Sequence, residues 1–372
     1  MTYLTVDSMA EGVGWSQVLP YVERLVGCGF DVKLHSFEKS MPNSEVEHRL
    51  SGAGVGWHPH MFKGGGSAAG LGRVLLGASL IRGAELVHAR SDLPAASCLL
   101  ARPRAWVWDM RGLWREQRVS LGLLKSRSAQ AKIMKAVESA AARSCTGLVT
   151  LTKSSLEVMV ERHGPDMARK SRVIPTCVDL ALFIPSPMPP PRPLRLLLAG
   201  TLNRLYDVPA MVRLFHRIQA RLPAELTVLA PAGSPWRAEL ETAGASIASV
   251  SPLAMPVRIA EHHAGLCMLR ADVGVSSLAA APTKLGELLA SGRPVVVSAG
   301  LGDMDTLLAD RRCGVVVGQP SDLELDRAAQ ALEALVVDPS TPTRCRALAQ
   351  SHFDIDTGIK DLMELYRASL RH

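Results

Sequence analysis

Residues Ala281–Val297 read APTKLGELLASGRPVVV. The order of residue types predicts a helix followed at once by a buried strand. Pro282 suits the first turn of a helix, where a missing N–H costs little. Thr283 and Lys284 then stand at the helix start, where free backbone N–H groups and the helix dipole favour an anion. The Lys284 ammonium adds a point charge suited to phosphate. Glu287 follows at i+3, on the same face as Lys284, and a carboxylate there can accept from both hydroxyls of a ribose. Gly292 ends the helix, and Val295–Val297 is the apolar run expected of a parallel strand covered on both faces. Spacing alone leaves an equal alternative: an amphipathic helix with a capping glutamate and a surface lysine.

Outward from this stretch, both halves of the chain alternate short apolar runs with helical periodicity. In the first half the strands read as Tyr3–Val6, Phe30–Phe37, Glu85–Ala89, Trp106–Asp109, Gly147–Leu151 and Arg172–Ile174. Helices read as Ser16–Cys28, Leu93–Ala101, Ser128–Ser144 and Ser154–His163. In the second half the strands are Leu194–Ala199, Glu225–Ala230, Asp272–Val275, Pro294–Val297 and Gly314–Val317. Helices there read as Pro209–Arg221, Pro256–Cys267, Lys284–Ser291 and Glu324–Val337. Such βα alternation predicts α/β architecture: two Rossmann-like, doubly wound domains facing a cleft, with ligands at the carboxyl ends of the strands. Ile184–Pro193, IPSPMPPPRP, holds six prolines and reads as the linker. The domains expected are 1–188 and 189–353, with a final helix, 354–372, returning to the first.

A length of 372 residues, with 47% hydrophobic and 21% charged, is ample for two packed cores and excludes a disordered chain. No apolar run reaches the roughly 18–20 residues that span a bilayer. Met1–Val6 lacks the features of a secretory signal. The seven scattered cysteines form no Cys-x-x-Cys pair, so they read as buried thiols of a cytoplasmic protein. Residues 1–190 carry 23 Lys and Arg against 16 Asp and Glu, and residues 191–372 carry 19 against 19. The net charge of +7 thus belongs to the first half, which is expected to meet something anionic. With 4% aromatic residues and no basic run interleaved with stacking side chains, nucleic acid is not the expected partner. The basic amphipathic stretch Arg115–Lys135 is instead a candidate for an anionic membrane surface, on the inner face of the membrane; a solvated helix face is the alternative.

The stretch Ala281–Val297 resembles the donor-nucleotide motif of retaining GT-B glycosyltransferases of the glycogen-synthase-like superfamily, family four, in its bacterial type. Other segments agree in order: Gly12–Gly14 with Ser16–Leu19, Val173–Phe183 (VIPTCVDLALF), and Leu197–Arg204 (LLAGTLNR). The resemblance covers essentially the whole chain. It implies a retaining, metal-independent transfer of a sugar from a nucleotide diphosphate sugar, UDP- or GDP-type, to a hydroxyl acceptor on a glycan, a lipid-linked molecule or a small molecule. No cofactor is implied beyond that co-substrate. The donor residues implied are Gly14, Gly200, Arg204, Thr283, Lys284 and Glu287, with the Ser251–Leu253 loop near the base. Front-face attack aided by the leaving phosphate would then rest on Arg204 and Lys284.

Departures are specific. Relatives carry a first carboxylate where this chain has Ala279, a lysine-glycine pair where it has Tyr206–Asp207, and a histidine near Asp109–Met110–Arg111–Gly112. Asp109 and Arg111 nevertheless end an apolar strand. They could accept a hydroxyl proton and hold an anion, or form a salt bridge closing a loop. Ser16, His88 and Arg90 join them as candidate acceptor residues. Asp303–Asp305 and Asp354–Asp356 match Asp-x-Asp but sit at helix starts, where acidic residues serve the dipole. His58–His60 and His262–His263 lack a third ligand at metal spacing, and Gly64–Gly66 reads as a mobile loop. Two other functions stay open: a nucleotide-sugar hydrolase or epimerase of the same fold, and a non-catalytic nucleotide-sugar-binding regulator.

Overall fold

The computed structural model describes residues 1–40, 44–62, 64–231 and 233–371. The chain forms two compact units, one of Met1–Pro175 with Ile355–His372 and one of Thr176–Asp354.

Unit 1 is built on seven strands: β1 (Thr2–Thr5), β2 (Lys33–Glu38), β3 (Gly56–Met61), β4 (Leu86–Arg90), β5 (Ala105–Asp109), β6 (Gly147–Thr150) and β7 (Ser171–Val173). They lie in the order β3-β2-β1-β4-β5-β6-β7, every pair parallel. Strand order reverses between β1 and β4, which opens a crevice at their carboxyl ends. β1, β4, β5 and β6 are buried along their whole length, which is why they read as unbroken apolar runs. The helix Ile355–Leu370 packs on this sheet with Ile359, Leu362, Leu365 and Tyr366 buried. Gly147 makes that approach possible, because a Cβ there would stand 2.8 Å from Ser369 Oγ and 3.0 Å from Leu365.

Unit 2 carries β8 (Leu194–Ala199), β9 (Ala224–Leu229), β10 (Ser246–Ala248), β11 (Ala264–Cys267), β12 (Val295–Ser298) and β13 (Gly314–Val317). The order is β10-β9-β8-β11-β12-β13, again all parallel. Alternation along β8 divides the core in two. Leu194, Leu196 and Leu198 join the helices Val208–Gln219 and Asp322–Val337 on one face. Leu197 and Ala199 join the helices Thr283–Ala290 and Thr341–His352 on the other. Each leucine so buried contributes roughly 1.5–3 kcal/mol. The proline-rich Ile184–Pro193 lies within unit 2. The fully buried Arg293 donates to the carbonyls of Ser186 and Pro187 at 3.1 and 3.0 Å, and His263 Nε2 lies 3.0 Å from the Pro190 carbonyl.

Four expectations need correction. Asp272–Val275 is not a strand but part of the 3-10 segment Ala271–Ala279. The helix expected over Pro256–Cys267 stops at Ala260, and Ala264–Cys267 is the central strand β11. β3 was not among the expected strands; it carries Pro59 and lies at the sheet edge, where a missing N–H is tolerated. Of the loop expected over Gly64–Gly66, Gly64 and Gly65 are irregular, but Gly66 already opens the helix Gly66–Leu80.

Candidate functional site

In unit 1 the carboxyl ends of β1, β4 and β5 bring together Asp7, His88, Arg90, Asp109 and Arg111. Asp109 is only 3% exposed. Its carboxylate accepts from Arg90 Nη1 at 3.2 Å, Arg111 Nη1 at 3.3 Å and His88 Nε2 at 3.3 Å. Arg90 Nε also donates to Asp7 at 2.9 Å. Gln17 Oε1 bridges the two guanidiniums, at 2.6 Å from Arg90 and 3.0 Å from Arg111. Tyr366 donates its hydroxyl to His88 Nδ1 at 2.7 Å, and Tyr3 stacks on the same imidazole with ring centroids 4.2 Å apart. Burial holds His88 below its usual range, so it is neutral. A neutral ring that receives the Tyr366 proton on Nδ1 carries its own on Nε2, facing the ionised Asp109. Burial would raise the Asp109 pKa, but Arg111, the His88 hydrogen bond and Arg90 together hold it well below the carboxylate range.

Two arginines, two aspartates and a neutral histidine make a network of no net charge. The cavity within it is about 10 Å³, room for one water and no sugar. A carboxylate with three donors and a depressed pKa is a weak proton acceptor, so this geometry is that of a salt-bridge cluster which sets Arg111 in place. Ser16 spends its hydroxyl on the Gly12 carbonyl at 2.6 Å. Gly14 begins the π-helical turn Gly14–Val18 that carries Gln17. A Cβ at Gly14 would lie 2.1 Å from the Ser8 carbonyl oxygen and 2.6 Å from Met9 Cα, so only glycine fits there. Sequence reasoning missed Asp7, Gln17 and Tyr366. It also missed Ser91, which follows β4 with φ 76°, a conformation that costs a non-glycine residue of order 1–3 kcal/mol.

In unit 2 the reversal of strand order falls between β8 and β11, and the loops after them meet the helix Thr283–Ala290. Gly200 leaves β8 with φ 101°, and a Cβ there would lie 3.1 Å from Lys284 Nζ. Lys284 is half-buried, its ammonium 4.3 Å from the centroid of the Tyr206 ring. Burial opposes its charge, but Tyr206, Cys267 and Glu287 more than offset this, and its pKa is raised. Glu287, one turn on, is 9% exposed. Burial raises its pKa to about 7 against the partial opposition of Lys284. Among the described residues its carboxylate has no hydrogen-bond or ion-pair partner. Its oxygens are not sealed from solvent, so the hydroxyls of a ligand can reach them.

The remaining donor candidates are placed as follows. Thr283 is the first residue of the helix and half-buried. The Arg204 side chain is exposed; its backbone carbonyl accepts from Arg270 Nη1 at 3.1 Å. Ser251 and Leu253 are exposed around the turn Pro252–Ala254 after β10. Ala279, at the position of the missing carboxylate, is buried. Asp305 caps its own loop, accepting from the Gly300 N–H at 3.0 Å. Among the described residues no group of three or more His, Cys, Asp or Glu has the geometry to hold a metal ion, and no helix is long and apolar enough to cross a membrane.

No protein-family model and no curated protein matches the sequence. Solved structures do. Sucrose-phosphate synthase from Thermosynechococcus elongatus superposes with a TM-score of 0.69 at 16% identity, covering 98% of both chains. HepE from Anabaena, solved in complex with UDP and glucose, gives 0.69 at 13% identity over 98% of both. WaaG, a glycosyltransferase involved in lipopolysaccharide biosynthesis, gives 0.70 at 14% identity over 98% of this chain and 99% of its own. Matched over nearly the full length of all three, with two parallel doubly wound sheets, the chain has the GT-B fold of the glycosyltransferases.

Proposed function

We propose that this chain is a retaining, metal-independent glycosyltransferase that moves a sugar from a nucleotide diphosphate sugar to a hydroxyl acceptor. The observation that carries the reading is Glu287: a buried carboxylate without a partner, one turn from a lysine at a helix start, beside a crevice where strand order reverses. A ribose supplies two hydroxyl donors to such a group, and the diphosphate supplies the anion that the helix start and Lys284 favour. HepE, of the same fold, is solved with UDP and with UDP-glucose, which supports a uridine donor.

In this reading unit 2 binds the donor. Glu287 takes the ribose; Lys284, the Thr283 backbone and Arg204 take the diphosphate; Gly200 leaves room for both lysine and phosphate; and Ser251–Leu253 lie toward the base. Stabilisation of the departing diphosphate is then the main catalytic contribution, with front-face attack by the acceptor hydroxyl. Unit 1 binds the acceptor, Arg111 contacting it and Asp109, His88, Arg90 and Gln17 orienting Arg111, with Gly14 and Ser16 shaping the adjoining turn.

The acceptor side works at an anionic membrane surface. Leu123 and Ile133 are 61% and 63% exposed, and Lys125, Arg127, Lys132 and Lys135 are exposed around them without ion-pair partners among the described residues. Apolar side chains ringed by free cations suit anionic headgroups.

Glu287→Gln tests the donor site. Hydrogen bonds to a charged group are worth about 1.5–3 kcal/mol, so uridine or guanosine diphosphate should bind roughly ten- to a hundred-fold more weakly. Calorimetric titration showing an unchanged Kd would mean the motif is misread. Transfer assays run in excess chelator should retain activity.

A further inference from the structure

We propose that Tyr206 is the positioning residue for Lys284, holding the ammonium ready for a phosphate without neutralising it; this rests on the donor-site reading above. The backbone at Tyr206 is anchored on both sides to the segment after β11. Arg270 N–H donates to the Leu205 carbonyl at 2.9 Å, Asp207 N–H donates to the Met268 carbonyl at 3.0 Å, and Tyr206 itself bridges Leu269 in antiparallel sense. Asp207 then caps the next helix, accepting from Ala210 N–H at 3.0 Å. These ties fix the backbone from which the ring projects, and Lys284 Nζ lies over its face at 4.3 Å from the centroid. On the other side the ammonium fills the notch at Gly200, where a Cβ would stand 3.1 Å away.

What is absent from this grip matters as much. Among the described residues no carboxylate lies within ion-pair distance of Lys284. A carboxylate partner would have to be displaced before phosphate could bind. An aromatic face attracts the cation through its quadrupole, and even with the Tyr206 hydroxyl near enough to interact with the ammonium, a neutral phenol leaves its charge and its other N–H donors for a ligand. A free lysine side chain also carries about 2 kcal/mol of rotamer entropy. Restraint in the empty site moves part of that cost from binding into folding.

The test uses the full chain, reductively ¹³C-methylated on its lysines, with the Lys284 signal assigned by its loss in Lys284→Arg. Wild type and Tyr206→Phe should show a ring-shifted Lys284 resonance and bind uridine or guanosine diphosphate within about two-fold of each other. Tyr206→Leu should lose the ring shift and bind about ten-fold more weakly. Should that variant fail to fold, Tyr206→Met fills the space with an unbranched chain and carries the same comparison. Wild-type affinity in the leucine or methionine variant, or no ring shift in wild type, overturns the proposal while leaving the donor site standing. A wild type that binds neither diphosphate overturns the donor-site reading and this proposal together.

Discussion

Glu287 is the residue on which chemistry and stability pull in opposite directions. Its folded pKa of about 7 lies above its ordinary value of 4.5, so the native state holds the proton more tightly than the unfolded chain does. Stability therefore falls as pH rises from about 4.5 to about 7 and levels off above, by at most roughly 3 kcal/mol. Glu287→Gln removes that dependence. The variant should match wild type near pH 4 and be the more stable protein at pH 8, even as it loses nucleotide affinity. Urea melts of both at the two pH values decide this, and parallel pH curves would show that the carboxylate is not strained by burial. Lys284 and Glu287 were legible in the sequence because one helical turn joins them. Their burial was not: a surface carboxylate and a buried one share the same spacing. Tyr366 and His88, 278 residues apart, met only when the fold closed, and nothing local in either segment signals the pair. Asp109 and Arg111 were legible as a strand-end pair, but Gln17, which bridges Arg111 to Arg90, gives no signal of charge.

At the scale of elements, periodicity succeeded where packing agreed with it. Leu194–Ala199 and Gly314–Val317 were read with the bounds they have, since each is a short run dominated by apolar residues, interrupted only by Arg195 in the first. It failed where a short strand follows a short helix without a glycine or proline between them, as at Met255–Ala260 and β11. The segment Arg115–Lys135 is two helices, Trp114–Ser120 and Ala129–Ser144, joined by a turn. Leu124, Ala131 and Met134 anchor it inward, while Leu123 and Ile133 face out. That division lets the outward residues change without loss of the core. Lys132→Glu with Lys135→Glu should leave the melting temperature within a degree or two and reduce sedimentation with anionic vesicles several-fold at low salt. Equal binding by variant and wild type, or none by either, would count against the membrane surface.

On the scale of the whole molecule, the two-sheet plan was legible because both halves repeat the same βα grammar on either side of a proline-rich run. Which residues each unit claims was less so, since backbone ties such as those from Arg293 to Ser186 and Pro187 leave no mark on composition. One such assignment bears on the protein's birth. Unit 2 is a continuous stretch, whereas unit 1 takes its last helix, Ile355–Leu370, from beyond it. All seven strands of unit 1 precede unit 2, but the helix that covers their sheet is made only after it, so unit 1 is expected to complete its folding after unit 2. Ribosome-stalled chains exposing residues through 354 should resist protease over 176–354 while 1–175 is still cut, and protection of 1–175 should appear only once 355–372 clears the exit tunnel. Early protection of 1–175 would show that the sheet stands without its closing helix. Until that helix arrives, the apolar surface meant for Leu362, Leu365 and Tyr366 is open to any chaperone that reaches it first.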